Sequence, residues 1–499
     1  MNSDLPGFYW HPKRNRYFPH PPLPDIPDNI TIPPRRHRHP ALLLNALSSA
    51  TSRAEQLGLF HEIHTFSISA TSVMNHTRPL PTLGKITAFC SANGTLRRLI
   101  GDDTGSLYAH HPGSIEWPMQ LSLYPDSQVS SISISGQKCV ATCFGPVARI
   151  AVQNIDLDAD PNSGFDYGYH EPVLLRLNDV HDVWTGYLSG NALTLGAHKQ
   201  AIHIPDIESS NSPLQVLHTG GSDVFSVSQH PDDASFDSNP NPNLVYTGCR
   251  NGSIFRFDLR VGGGGSGGGG RPERKKLFEL NSTATTATAT RESFVDFDGW
   301  RGNGRGRGRG RGKGRGRGNS RHSGSNFNST STSTSSPVVH LQVLKDSQVL
   351  VARMNGELST YDLRFPDRSN PTKTFKGHVN SVTQRLGICV DPFENYIFAA
   401  GEDGKIRGWS MRTGELLSPP SAPMSQASNR RSEDDMDTDS PGLSHISLYR
   451  QNKNPFTSVF PAGTKISAMQ ITQEMDGLSL WAAAGRDLYE YKLGQVSVL

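Results

Sequence analysis

Two short stretches place a carboxylate two residues ahead of a guanidinium: Asp258-Leu259-Arg260 in "GCRNGSIFRFDLR" and Asp362-Leu363-Arg364 in "MNGELSTYDLR". Each follows a Gly-containing turn and a run of alternating apolar and polar residues, the pattern of a half-buried strand. Alternation sets residues i and i+2 on one side, so each Asp can turn its Arg outward. The chemistry on offer is recognition, an aimed cation for an acidic or carbonyl-lined surface. A solvated pair of this kind would contribute little to stability.

A second candidate is the run "RGNGRGRGRGRGKGRGRGNSR" at residues 301–321, with eight Arg, one Lys and no acid. Alternating Gly and guanidinium makes a flexible polycation suited to phosphates and unpaired bases, here through Arg305, Arg307, Arg309, Arg311, Arg315 and Arg317. The same run also fits a low-complexity expansion in a tolerated surface loop. Its nine charges exceed the chain's formal +3, so the rest of the chain is net acidic.

No catalytic constellation stands out, and the residues point away from an enzyme. The 19 His are scattered. Cys139 and Cys143 lack a second ligand pair and would share one face of a strand, which favours core packing over a metal. No cofactor or metal is expected. Five cysteines form no regular framework, and no apolar leader precedes a cleavage site. The longest apolar run, around Leu42 to Leu44, is far too short to span a bilayer. The expectation is a soluble protein of the nucleus and/or cytoplasm, without a membrane partner.

The elements that position these residues follow from repeats. Residues 375–412, "FKGHVNSVTQRLGICVDPFENYIFAAGEDGKIRGWSMR", carry Gly377-His378, an Asp-Pro turn at Asp391, a strand over 396–400, the turn Glu402-Asp403-Gly404, and a strand ending at Trp409. This stretch resembles a WD repeat, one blade of a β-propeller. In that family a His, an Asp, a hydroxyl residue and the Trp form a buried relay. The resemblance assigns it to His378, Asp403 and Trp409, with Ala399 and Ala400 where the hydroxyl would stand, so the relay is expected to be incomplete. Ser410 replaces the terminal Asp, leaving only Arg412 of a third Asp-x-Arg.

Weaker copies at residues 97–110, 138–155, 181–204, 221–260, 338–364 and 465–493 bring the count to seven blades. The fold class is therefore all-β, a seven-bladed WD-repeat propeller over residues 78–495. Before it come an extension at 1–40 and a helix with lead-in at 41–77. The helix is placed at 41–60 because Leu43, Leu47, Ala50, Ala54 and Leu57 share one face. Two insertions, the low-complexity 262–336 and the acidic, Ser-rich 418–445, are expected to be disordered. A fourth strand "RKKLFEL" (274–280) would leave the Gly-rich segment between third and fourth strands and hang the Arg-Gly run on the opposite face.

With the blades in place, the twin Asp-x-Arg stretches resemble the WDxR box of the WD-repeat substrate receptors that dock on damage-specific DNA-binding protein 1, the adapter of cullin-4 ubiquitin ligases. Phe257 and Tyr361 stand where that box has Trp. The N-terminal "LPGFYWHPKRNRYFP" looks like the N-terminal box of the cullin-4-associated factor four family, through Gly7, Phe8, Tyr9, Pro12, Asn15, Arg16, Tyr17 and Phe18. The resemblance implies a non-catalytic receptor that holds an unidentified substrate protein and meets the adapter through Asp258, Arg260, Asp362, Arg364 and Arg412. An RNA-associated WD-repeat scaffold using the Arg-Gly loop is the alternative.

Overall fold

The structure is a computed structural model that describes residues 8–11, 16–19, 52–76, 80, 82–92, 98–110, 119–155, 171–209, 212–229, 243–262, 272–278, 335–345, 347–367, 370–417, 460, 464–474 and 477–494. The chain divides into two units, Met1–Ile63 and His64–Leu499. In the first, β1 (Phe8–His11) and β2 (Arg16–Pro19) form an antiparallel hairpin with Tyr9 opposite Phe18 and Trp10 opposite Tyr17. Helix α1 (Arg53–Thr71) begins in the first unit and ends in the second.

The described helix overlaps the second half of the predicted span 41–60 and runs on past it to Thr71. A capping box starts it: Ser52 Oγ accepts from the Glu55 amide at 3.1 Å, and Glu55 reaches back to the Ser52 amide at 3.4 Å. The cap falls inside the apolar pattern, whose first part, residues 41–51, lies outside the described residues. Ile68, on the later turns, is fully buried in the core of the second unit.

The second unit is an all-β propeller. Strand β3 (Val73–His76) comes first in sequence and belongs to the last blade. Blade 1 is β4–β7 (Ile86–Ser91, Arg98–Asp102, Ser106–His110, Met119–Ser122), and blade 2 is β8–β11 (Val129–Ser135, Lys138–Cys143, Ala148–Asn154, Val173–Leu177). Blade 3 is β12–β15 (Thr185–Ser189, Ala192–Ala197, Gln200–Ile204, Gln215–His218), and blade 4 is β16–β19 (Val224–Gln229, Leu244–Cys249, Ile254–Asp258, Glu273–Leu277). Blade 5 is β20–β23 (Val338–Leu344, Gln348–Arg353, Leu358–Asp362, Lys373–Thr374). Among the described residues blade 6 has three strands, β24–β26 (Ile388–Val390, Tyr396–Ala400, Ile406–Ser410). Blade 7 is β27–β29 (Ile466–Glu474, Gly477–Ala484, Asp487–Leu493), with β3 pairing on β29 as its outer strand.

Each blade is an antiparallel meander that cannot bury both faces alone, so the hydrophobic cores form between blades. Seven clusters of buried side chains occupy the seven junctions, and the one joining Trp481 and Leu488 to Ile86 and Ile100 closes the ring. Cys139 and Cys143 are buried together in the junction of blades 1 and 2, on one face of β9. The inner strands of blades 1, 2, 4, 5 and 7 share the same register shift next to their first residue. A bulge there steepens the local twist, which fans four strands outward from a narrow axis.

No described helix is long and apolar enough to cross a membrane. The Arg-Gly run and residues 418–445 lie outside the described residues. So does most of the 262–336 insertion, although its predicted fourth strand is present as β19.

Candidate functional site

The third strands of blades 4 and 5 end alike. Asp258 closes β18 opposite Leu244, the first residue of β17, and Asp362 closes β22 opposite Gln348, the first of β21. Both pairs therefore stand at the same end of adjacent sheets. One residue earlier, Phe257 and Tyr361 point into the core, 1% and 0% exposed. Tyr361 lies 4.9 Å from the Phe278 ring and donates to Glu357 at 2.9 Å. Burial of that aromatic fixes the strand's end and so fixes where the next residue points.

Each Asp binds its Arg twice over. Asp258 accepts from the Arg260 amide at 3.1 Å, from Nε at 3.0 Å and from Nη2 at 2.7 Å. Asp362 repeats the pattern on Arg364, with 2.9, 3.0 and 2.7 Å. The carboxylate caps the turn and forks the guanidinium, a planar two-point grip that a lysine could not accept. The Arg260 side chain is nonetheless 56% exposed and that of Arg364 66%. They are aimed cations on a rigid base. Hydrogen bonding from Arg260 holds the Asp258 carboxyl below the usual carboxylate range, so the fork outlasts mild acid.

The third pair departs from this geometry. Ser410 stands two residues before Arg412 in place of a carboxylate, and it is buried, its Oγ accepting from the Thr413 amide at 3.1 Å. Arg412 is exposed at the end of the same strand position, close enough to Lys373 that its charge helps lower the lysine pKa, after burial. Two aromatics at this end were not singled out by the sequence reading. Phe365, 48% exposed, lies 6.0 Å from the Arg364 guanidinium, and Phe393, 57% exposed, tips the turn between β24 and β25. The "F" directly after "YDLR" was the available signal for the first. Arg beside exposed aromatics is the composition of an interface centre.

The expected relay of His378, Asp403 and Trp409 is replaced by separate bonds. His378 Nε2 reaches the Ala400 carbonyl at 3.2 Å, and Trp409 Nε1 donates to the Lys376 carbonyl at 2.9 Å. Asp403 is exposed and instead forks Arg407 at 3.0 and 2.7 Å. With Ala399 and Ala400 in the hydroxyl's place, a backbone carbonyl takes the histidine, and the chain of side-chain bonds has no middle link. His378 and Trp409 still meet edge to face at 6.5 Å. Arg305, Arg307, Arg309, Arg311, Arg315 and Arg317 lie outside the described residues. Among the described residues no group of three or more His, Cys, Asp or Glu could hold a metal ion.

Residues 369–410 match the family model "WD domain, G-beta repeat". Among curated proteins, an uncharacterised WD repeat-containing protein of Caenorhabditis elegans is 34% identical over 77 residues, 15% of this chain and 14% of its own length. The human "DDB1- and CUL4-associated factor 4-like protein 2" is 35% identical over 95 residues, 19% of this chain and 23% of its own. The matched stretches thus span less than a quarter of either relative. A crystal structure of the WD40 β-propeller domain of Doa1 superposes with TM-score 0.47 at 11% identity, covering 84% of this chain and 97% of that one. Seven sheets in a closed ring, one of them matching the repeat model, make this chain a seven-bladed WD-repeat β-propeller.

Proposed function

We propose that the chain is a non-catalytic substrate-recognition subunit of a cullin-4 RING E3 ubiquitin ligase. Arg260 and Arg364, with Arg412 beside them, dock on the damage-specific DNA-binding adapter, and the rest of the propeller presents a target protein. The observation that carries this reading is the duplicated fork, two exposed arginines braced by identical contacts at one end of neighbouring blades. The name of the human relative, a protein associated with that adapter and with cullin-4, points the same way. The receptor does no bond chemistry of its own, and the ligase gains rate from proximity, holding a target lysine near a charged conjugating enzyme.

The test is co-purification with the adapter. Truncating an interface arginine commonly costs about 2 kcal/mol, so Arg260→Ala and Arg364→Ala should each weaken capture about thirtyfold. Arg260→Asp with Arg364→Asp should abolish it. Wild-type capture by a folded double reversal would overturn the reading. The Arg-Gly run keeps a second reading open, an RNA-associated scaffold. It is carried if RNA crosslinks to the full chain and removal of residues 281–336 abolishes the crosslink while the double reversal leaves it intact.

A further inference from the structure

The outer flank of the ring is sealed at one junction and open at another. Where blade 4 meets blade 5, Phe278 follows the outer strand β19 and is buried, its ring 4.9 Å from Tyr361 and its amide donating to the Pro366 carbonyl at 3.0 Å. Lys275 of the same strand reaches Asp367 at 4.0 Å. An outer strand and the chain after the next blade's third strand thus close on each other. At blades 2 and 3 the same two elements, β11 and the chain between β14 and β15, leave a groove of about 630 Å³ between them.

Alternation along β11 sends Val173, Leu175 and Leu177 to the groove side. Leu175 and Leu177 pack on the core between blades 2 and 3, while Val173 is left 60% exposed. Ile207 and Leu214 line the opposite wall, Leu214 50% exposed. Arg176 belongs to the other side of the strand, the side of Arg149, which lies across from it and stacks over Tyr124 at 4.3 Å. The ionisable side chains left at the groove are Glu171, Asp206 and Glu208, all acids. Glu208 pairs with Lys138 at 2.7 Å, whereas Glu171 is exposed and has no ion pair among the described residues. Apolar walls that open to water beside an acidic rim are the composition of a docking surface. A small apolar molecule would stay half wet there, although ligand sites bury about 70–90% of what they hold, so a length of chain fits the trough better. Residues 156–170, which connect β10 to β11, carry four Asp and no Lys or Arg, and their charge opposes lying along that rim.

We propose that the groove between blades 2 and 3 docks a short segment of a partner protein in which apolar side chains are flanked by Lys or Arg. The apolar side chains cover Val173 and Leu214, and the cation meets Glu171. The surface lies on the circumference of the ring, on an outermost strand, and shares no residue with the forked arginines. It therefore stands or falls separately from the adapter contact.

The experiment uses the full chain and three pools of fluorescent dodecapeptides. The first has Leu and Val alternating with Ser in the centre and Lys or Arg at both ends, the second has the same centre with Glu at both ends, and the third keeps the Lys or Arg ends around a centre of Ser and Asn. Binding is followed by anisotropy. The first pool should bind at least about tenfold more tightly than either of the others, the factor carried by 1.4 kcal/mol. Val173→Lys and Leu214→Lys, at exposed positions where the melting midpoint should stay near the parent's, should each bring the first pool level with the third. If one of them unfolds the chain, the other reads the same loss. Glu171→Lys should narrow the gap between the first and second pools while the third stays weak, and replacing residues 157–169 by a Gly-Ser linker should change none of this. Equal affinity of the three pools, a preference that survives the lysine substitutions, or a basic preference untouched by Glu171→Lys would overturn the proposal. So would binding that appears only after residues 157–169 are replaced, which gives the groove to the chain's own connecting segment, or a dimer in sedimentation that Leu214→Lys dissolves, which gives it to a second copy.

Discussion

Blade 6 and the two blades before it differ in what their third strands carry. Blade 6 has the Trp, the Gly-His entry and the turn of a full repeat, yet β26 ends on Ser410 and, among the described residues, pairs outward only through a single bridge from Trp409 to Leu416. β18 and β22 substitute Phe257 and Tyr361 for the Trp and end on an Asp that forks an Arg. The signature of the repeat and the signature of the binding box are thus separable. One is spent inside, where Trp409, Tyr361 and Phe257 are all buried, and the other outside, where it caps a turn and leaves its guanidinium exposed. A strong repeat match consequently says where a blade is and little about which blade meets a partner.

That separation can be broken from either side. The double charge reversal at Arg260 and Arg364 has the largest expected effect, complete loss of capture, with a melting midpoint near that of the parent because exposed ion pairs contribute only about 0–1 kcal/mol. Trp409→Ala should do the opposite. Emptying a fully buried Trp site costs about 3–5 kcal/mol in unfolding free energy, while the capture per folded molecule stays unchanged. Asp403→Ala in the same blade should cost no more than about 1 kcal/mol, since Asp403 pairs with Arg407 at the surface. A loss of several kcal/mol there would restore the buried relay.

Blade 3 sharpens the comparison with a proton. The penultimate residue of β14, the place held by Phe257, Tyr361 and Trp409 in later blades, is His203, 5% exposed and hydrogen-bonded to Thr194 at 2.9 Å. Burial pushes its pKa down to about 4. As pH falls below the ordinary histidine value, the unfolded chain takes up a proton that the folded chain refuses. Stability is therefore full above about pH 6.5 and falls until about pH 4, by about 3 kcal/mol for this one group. His203→Gln should flatten that part of the curve measured by denaturant melts at fixed pH. An unchanged slope would assign the acid sensitivity elsewhere, with His340, also lowered to about 4 by burial, the next group to replace.

The seven blades were legible because turn glycines and strand alternation are local, and so was the Asp-x-Arg geometry, which needs only two residues and one strand. The end of the helix was not legible, because it runs on to Thr71 beyond the apolar spacing that stops at Leu57, and phase alone does not say where a helix ends. The gap in the relay at Ala399 and Ala400 was legible from their missing hydroxyls, whereas the carbonyl that takes His378 and the turn of Asp403 to Arg407 were not. The groove between blades 2 and 3 gave no signal at all. Val173 and Leu214 look like ordinary strand and turn residues until the ring sets β11 beside the next blade.

The pairing of β3 with β29 has a consequence for how the molecule comes into being. Tyr489 lies opposite His76, so the last blade is assembled from both ends of the described chain. During synthesis the residues of β3 leave the ribosome early and must stay unpaired until nearly all of the remaining sequence has followed. Six sheets can form in that interval, with the first and the sixth each presenting an open flank. The completed polypeptide then seals both at once, so a chain that stops short of β29 leaves its earliest strand exposed as a degradation and aggregation signal.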